Sequence, residues 1–497
     1  MKSFIKKMKS KYIWSQKAKF IERFIVKNDF ALKLKEDKYV GIFISSWFGT
    51  FIPWYSIVVG LLLKKFYGRK LLFIVDDMPF SDEKLNPKFQ YKSILNVTKL
   101  LEKYNEVRYL SKQDDIILDE EIVKKYAYFN TLHDIKTEQF DEQNDYYKLI
   151  ENQLKDSSSK VSSILDKFDF EYIFVPGGLC FLTGILCEQA KQKEIRVCSY
   201  DSGMKGAFLL STHGVAAHLE DIPRAVNIIR NDARINLDDI KKDVENLIDD
   251  RFRGKDIFNS QVGRSDDSID YSNSILLPLN VNWDSAVLNK HIIFKDTIEW
   301  ILETTRWILE NTNKRVIIRQ HPVERFDYGK GLDNYKSILE NEFGLNIRII
   351  FIGAEDKANT YDILKQTDFV ITHTSTVATE AVVYGKDVIT VSNVYYSKIG
   401  YVQTPKSKQD YFMTIGKLIT NKQIIDESIR LKAIISYYVS QRLNWCFPEF
   451  LPSTNVDVWL NNSLDNILRM LDTNEILEAI DSDIPLPIVK WRKSIDS

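Results

Sequence analysis

The chain has 497 residues, about three domain-equivalents at ~150 residues each, and its 44% hydrophobic and 12% aromatic content with only 19 Gly and 12 Pro excludes a disordered or collagen-like polymer. Lys+Arg (68) and Asp+Glu (69) nearly cancel, to a net charge of -1. A protein that wraps nucleic acid along its length is far more basic, so no nucleic-acid partner is expected.

The charge is uneven. Residues 1–35 hold eleven Lys/Arg against Glu22 and Asp29, which leaves about -10 for the remainder. In this basic segment Ile5, Met8 and Tyr12, then Ile21, Phe24 and Ile25, recur at helical spacing. Two readings stay open: an amphipathic helix on an anionic membrane surface, or a surface helix docked on the next domain. No uninterrupted apolar stretch follows the first lysines, and residues 54–63 are too short to span a bilayer. The chain is therefore expected in the cytoplasm, with the inner face of the cell membrane as the place where the basic segment would act. Cys180, Cys187, Cys198 and Cys446 show neither a CxxC nor a Cys/His ligand spacing. They read as buried thiols in a reducing compartment.

Strand-like and helix-like segments then alternate. Residues 39–44 form a strand-like run that leads into Ser45-Ser46-Trp47-Phe48-Gly49 and an apolar helix-like stretch. Residues 70–75 are a second strand, stopped by Asp76-Asp77-Met78-Pro79, and 106–110 a weaker third. Residues 172–175, followed by Pro176-Gly177-Gly178 and a helix to about 193, and residues 196–200 complete a parallel α/β set. The polar stretch 251–271, with Gly254, Gly263 and Ser265-Asp266-Asp267-Ser268, reads as a linker. A second alternation places strands at 274–279, 315–319, 347–352, 368–372 and 387–391, and helices at 294–310, 361–366 and 377–384. The last ~75 residues read as helical. The expected domains are a basic segment 1–35, an acceptor-side domain 36–255, a linker 256–272, a donor-side domain 273–420 and returning helices 421–497. Two Rossmann-like halves of this kind point to a nucleotide-sugar enzyme, with ligands beyond the carboxyl ends of the strands.

Four strand-end loops carry the chemistry. Arg319-Gln320-His321-Pro322 sets a His where it can donate to a phosphate, on a turn stiffened by Pro322. A His that merely caps a helix is the plainer alternative. Thr372-His373-Thr374-Ser375-Thr376 brings three successive hydroxyls to a helix start, where an anion is favoured, and Glu380 lies one turn on, able to accept from ribose hydroxyls. Ordinary N-capping explains part of this pattern. Pro278-Leu279-Asn280 with Asp284-Ser285 fits an Asx turn as well as a donor contact. Tyr200-Asp201-Ser202-Gly203 offers Asp201 as a general base for an acceptor hydroxyl, with Asp76 and Asp77 as rivals. No residue cluster points to a bound metal.

The series Leu277-Pro278-Leu279-Asn280…Asp284-Ser285, Arg319-Gln320-His321-Pro322 and Thr374-Ser375-Thr376…Glu380-Ala381…Gly385-Lys386-Asp387-Val388 resembles the capsule polysaccharide biosynthesis glycosyltransferases. That group includes the bacterial Kdo transferases of capsule assembly and the polysialyltransferases. The resemblance implies a GT-B fold and transfer of an acidic sugar, Kdo or sialic-acid-like, from a CMP-linked donor to a glycan or lipid-linked acceptor, with no separate cofactor. It implies that His321-Pro322 and Ser375-Thr376 hold the nucleotide phosphate, and that Asp201, in an acidic-acidic-Gly motif, is the catalytic base. Ser202 stands where the family often has a second acid, and Ala216 where Asn is usual after Gly214-Val215. The match covers about 274–401, is thin over 172–218 and is absent over the first ~170 residues. The alternatives are another GT-B-like enzyme (a UDP-sugar transferase or epimerase, or a CDP-polyol phosphotransferase) and a non-catalytic capsule assembly factor.

Overall fold

The computed structural model describes residues 2–28, 37–46, 52–78, 88–115, 119–203, 206–263, 269–420, 425–451 and 458–496. Residues 47–49, 79 and 265–268, noted in the sequence, lie outside these. The chain divides into two compact units: Met1–Tyr128, Asp145–Asp221 and Asn444–Ser497 make the first, Phe129–Asn144 and Ile222–Leu443 the second.

In the first unit, strands β1 (Tyr39–Ile44), β2 (Lys70–Val75), β3 (Glu106–Tyr109), β4 (Phe170–Pro176), β5 (Arg196–Ser202) and β6 (Phe208–Ser211) pair in the order β3-β2-β1-β4-β5-β6. All pairings are parallel except β5 with β6. Five of the six residues in both β1 and β2 are buried, as expected of strands covered on both faces. The order reverses between β1 and β4, which is the Rossmann switch point. The helix Ile52–Tyr67 is buried almost all round through Trp54, Ile57, Val58, Leu61 and Leu62, because it packs on the sheet and on the returning helix Thr473–Ser482. β6, a four-residue strand, has too short an apolar run to stand out in the sequence.

The basic helix Lys2–Lys27 buries Ala18, Ile21, Phe24 and Ile25 against the helices Lys88–Leu101 and Val458–Asn461. Its second half therefore docks on the protein. The outward stripe Met8, Tyr12, Lys19 and Arg23 stays exposed. Among the described residues no helix is long and apolar enough to cross a membrane.

In the second unit, β7 (Ser274–Pro278), β8 (Arg315–Arg319), β9 (Ile349–Ile352), β10 (Phe369–Thr372) and β11 (Val388–Thr390) form an all-parallel sheet ordered β11-β10-β7-β8-β9. The switch point here lies between β7 and β10. Ile275, Leu277, Val316, Ile318 and Ile371 pack against Trp300 and Ile308 of the helix Thr297–Asn311, whose first turn Asp296 caps by accepting from Glu299 N at 2.7 Å. Two Rossmann-like sheets, the first parallel but for its β5–β6 edge and the second all parallel, with a C-terminal segment that returns to the first unit, give the GT-B class expected from the sequence.

The units divide at other positions than the sequence reading chose. The first boundary falls at Asp221 rather than 255, because the helices Ile222–Arg230 and Leu237–Phe252 turn their apolar faces (Ala225, Val226, Ile229; Ile240, Val244, Ile248) toward the helix Glu427–Tyr437. The return begins at Asn444 rather than 421. Residues 129–144 also belong to the second unit. Asp333 accepts from Thr137 Oγ1 (2.6 Å), Glu138 N (2.9 Å) and Asn282 Nδ2 (2.6 Å). The buried Glu138 carboxyl accepts from Thr297 Oγ1 at 2.9 Å and Thr297 N at 3.3 Å, while its Oε2 has no partner. Burial pushes this carboxyl up to about 7, the Thr297 hydroxyl opposing and Asp296 and Asp333 adding to the shift.

Candidate functional site

At the switch point of the second unit, the turn after β7 is tied to the loop after β10: Asn280 Oδ1 accepts from Thr374 N at 3.1 Å. The turn after β8 lies alongside. Pro322 opens the short 3₁₀ helix Pro322–Arg325, and His321 caps it, Nδ1 accepting from Val323 N at 3.2 Å. An Nδ1 that accepts fixes the neutral tautomer with its proton on Nε2. Burial pushes the imidazole down to about 4, against the pull of the Asp284 carboxylate and with the Arg319 cation adding to it. His321 is thus a neutral hydrogen-bond donor at pH 7.

Arg319 ends β8 and is 2% exposed. Its guanidinium donates to Gly353 O and, at 3.4 Å, to Ala358 O, while Nε has no partner. Among the described residues no carboxylate bonds to it. Burial lowers its pKa to about 10, Asp356 opposing, so it is still charged at pH 7. A buried cation with a spare donor is costly. An anion in the adjoining space would offset that cost.

Ser375 and Thr376 precede the two-turn helix Val377–Val383. Ser375 Oγ accepts from Val377 N only at a long 3.4 Å, and Thr376 makes no capping bond, so capping does not consume these hydroxyls. Tyr396 OH fixes the loop by donating to Ser375 O at 3.1 Å. One turn on, the buried Glu380 accepts through Oε1 from Tyr361 OH and Tyr437 OH, each at 3.2 Å, and its Oε2 has no partner. Burial raises its pKa, Arg251 opposing.

Arg319, His321, Pro322, Ser375, Thr376 and Glu380 line one cleft, with about 90 Å³ of water-accessible space. Of the remaining donor-side residues, Thr374 lies beside it with its amide held by Asn280 and its hydroxyl buried without a partner. Asp284 is exposed and accepts from Ala286 N at 3.0 Å, as an Asx turn does. Four further lining residues were not anticipated: Arg251, Phe258, Val262 and Gly263, within or next to the stretch read as a linker. Asn359 Nδ2 donates to Gly263 O at 3.4 Å, and a Cβ on Gly263 would stand 2.2 Å from Ala358 O. Only a residue without a side chain lets the two backbones approach so closely. A glycine in a polar stretch, five or six residues after an apolar pair (Ile257-Phe258), was the signal available.

Asp201 belongs to the first unit. It lies within β5 opposite Leu209 of β6, and its Oδ1 accepts from Ser202 N at 2.8 Å. The motif sits in an antiparallel hairpin, not in a loop after a free strand end. Asp76, at the end of β2, is buried and accepts from Ser45 Oγ (3.0 Å) and Met78 N (3.2 Å). Burial raises it to about 6, Ser45 opposing. Asp77 caps a turn by accepting from Ser111 N at 2.7 Å. The four cysteines are buried and form no disulfide.

Residues 239–415 match the family described as capsule polysaccharide biosynthesis protein. No curated protein sequence matches the chain. Among solved structures, the KpsC β-Kdo 2,4-transferase of Thermosulfurimonas dismutans is similar at 13% identity over 54% of this chain and 79% of that one, with a TM-score of 0.35. The KpsC β-Kdo 2,7-transferase from the same organism is similar at 15% identity over 56% and 79%, with a TM-score of 0.32. MnaA of S. aureus, solved with UDP, aligns at 12% identity over 90% and 98%, with a TM-score of 0.26. The family match covers the strand ends that supply Arg319, His321, Ser375, Thr376 and Glu380, and over this part the chain is similar to the capsule polysaccharide biosynthesis proteins.

Proposed function

We propose that the chain is a glycosyltransferase of bacterial surface-polysaccharide biosynthesis, capsule or lipopolysaccharide. It moves an acidic sugar, Kdo or sialic-acid-like, from a CMP-linked donor onto a glycan or glycolipid acceptor. The observation that carries the reading is the cleft in which a buried, carboxylate-free Arg319, the His321 donor and two hydroxyls converge. In this reading the donor phosphate lies against these groups. As the bond from the anomeric carbon to phosphate oxygen breaks, Arg319 balances the charge left on CMP and His321 Nε2–H donates to it. Glu380 Oε2 accepts from a ribose hydroxyl. The acceptor oxygen bonds to the anomeric carbon and gives its proton to Asp201. The exposed stripe Met8, Tyr12, Lys19 and Arg23 is the surface that would meet an anionic membrane carrying a lipid-linked acceptor.

The test is a thermal-shift series with CMP, CDP, UDP and GDP. A ligand at ~100 times its dissociation constant stabilises by about 2.7 kcal/mol. A response to CMP is expected. A clear response to UDP with none to CMP overturns the donor assignment.

A further inference from the structure

We infer that the outer edge of β9 is where a second copy of this chain docks, so that two second-unit sheets join edge to edge about a two-fold axis at Ile350.

The two sheets have four edges, and three of them are closed or guarded. At β6, Phe208 N donates to Cys446 O at 2.8 Å. At β11, Thr390 N donates to Gln403 O at 2.9 Å and Gln403 N to Val388 O at 2.8 Å. β3 carries Glu106 and Arg108, which pair with each other along the strand, and charges on an edge deter a foreign strand. β9 has neither device. It reads Ile349-Ile350-Phe351-Ile352, its first three residues are half-buried, and among the described residues no strand pairs with its outer side. Leu345 and Ile347, just ahead of it, are each 94% exposed, more than any other large apolar residue described. The one charged residue from 345 to 352, Arg348, is turned away. Its guanidinium donates to Leu309 O (2.5 Å) and Thr312 O (2.6 Å) at the end of the helix Thr297–Asn311. A bare apolar edge of this kind is a template for a further strand.

The register of the strand selects the occupant. Arg348 O and Ile352 O accept from Val316 N and Gln320 N, so the peptide groups of Ile349 and Phe351 face outward. Ile349 N closes a turn on Asn346 O at 3.0 Å, which leaves Ile349 C=O and Phe351 N–H to meet another strand. An antiparallel copy centred on Ile350 sets this donor and acceptor against each other twice, each Phe351 N–H on the other copy's Ile349 C=O. Ile349 and Phe351 share the face that packs with Trp307 and Phe343 on the core. The same register puts each Ile349 beside the other copy's Phe351, giving two aromatic–β-branched cross-strand pairs. With Arg348 turned away, no charge opposes another. Identical edges that complement each other close as a two-fold dimer and leave no edge for a third chain.

Ile350→Lys and Ile350→Glu each set like charges face to face on the axis. Sedimentation velocity on the full chain should show a dimer for wild type. Each variant alone should raise the dissociation constant about 100-fold or more, as opposed like charges do, and an equal mixture of the two should recover the dimer. Ile350→Cys, which keeps a small apolar side chain, should give a covalent dimer when treated with diamide. Facing Cα atoms at such a position lie about 4.5 Å apart, within the ~4.4–6.8 Å that a disulfide spans. A monomeric wild type overturns the proposal, as does one that grows into open-ended assemblies. A dimer kept by both charged variants places the interface elsewhere and overturns it too, and so does a mixture of folded charged variants that stays monomeric. Should circular dichroism show the charged variants unfolded, Ile350→Cys decides alone: a covalent dimer supports the register, and its absence overturns it.

Discussion

Glu138→Gln separates a buried neutral carboxyl from a buried charge. In the native chain Glu138 sits in an acidic pocket with one unpartnered oxygen, and its pKa stands at about 7 against an ordinary 4.5. Because the folded value is the higher one, the native state binds the extra proton between these values, and stability falls as pH rises through that window. Integrating the linkage gives a cost of about 1 kcal/mol at pH 5 and roughly 3 kcal/mol at pH 8. Glutamine cannot ionise and keeps an oxygen for Thr297. The misfit of its amide against the unpartnered position is the same at both pH values and cancels in the comparison. Urea unfolding of wild type and variant, followed by circular dichroism, should show the variant gaining about 2 to 2.5 kcal/mol on the wild type between pH 5 and pH 8. An equal difference at both pH values would refute the reasoning, and a variant that loses ground at pH 8 would mean that Glu138 is ionised and paired in the fold.

Three further outcomes are expected. Arg319→Met removes a buried cation that has only carbonyl partners, so the melting temperature should hold or rise while CMP affinity drops about 10- to 150-fold, the worth of a charge-assisted contact; retained affinity would exclude it from the phosphate site. His321→Ala should lower the transfer rate by roughly 10²- to 10³-fold, as loss of one preorganised donor does, and His321→Gln, which keeps an N–H, should recover part of it. The folded value of about 4 for His321 also makes it a group that loses stability as pH falls from 6.5 toward 4, and that acid sensitivity should shrink in His321→Gln when unfolding is followed from pH 7 to pH 4. Gly263→Ala brings a Cβ to within 2.2 Å of Ala358 O and should cost about 1–3 kcal/mol of stability together with nucleotide affinity; a variant with both intact would show that the backbones can part freely.

Much of the layout was legible because strands buried on both faces betray themselves as continuous apolar runs. β1, β2, β7 and β8 begin and end within a residue of where hydrophobicity placed them. Part of the cleft was legible for a related reason: strand ends in such sheets are predictable, and Arg319, His321, Ser375 and Thr376 follow them directly. What escaped has physical causes too. The amphipathic helix Leu237–Phe252 shows that it is half-buried but not which core it joins. Phe258 and Gly263 lie in a stretch whose composition is that of a linker, and only the approach of residues 357–358, a hundred positions on, makes it part of the lining. Asp284 carries the signature of a turn and of a ligand contact alike, and the structure uses it for the turn.

The way the chain passes back and forth between its two units has a consequence for its biosynthesis. The core of the first unit includes Trp459, Leu477, Ile480 and Leu486, yet those residues are made only after the whole of Ile222–Leu443 has been synthesised. At ~5–20 residues per second the nascent sheet β1–β5 waits some ten to forty-five seconds on the ribosome with part of its apolar surface uncovered. The second unit, which needs only Phe129–Asn144 from upstream, can be complete first. An interval of exposed apolar surface, ended by arrival of the returning helices, is thus written into the order of the chain, and a fragment cut at Asp221 would carry that uncovered surface permanently.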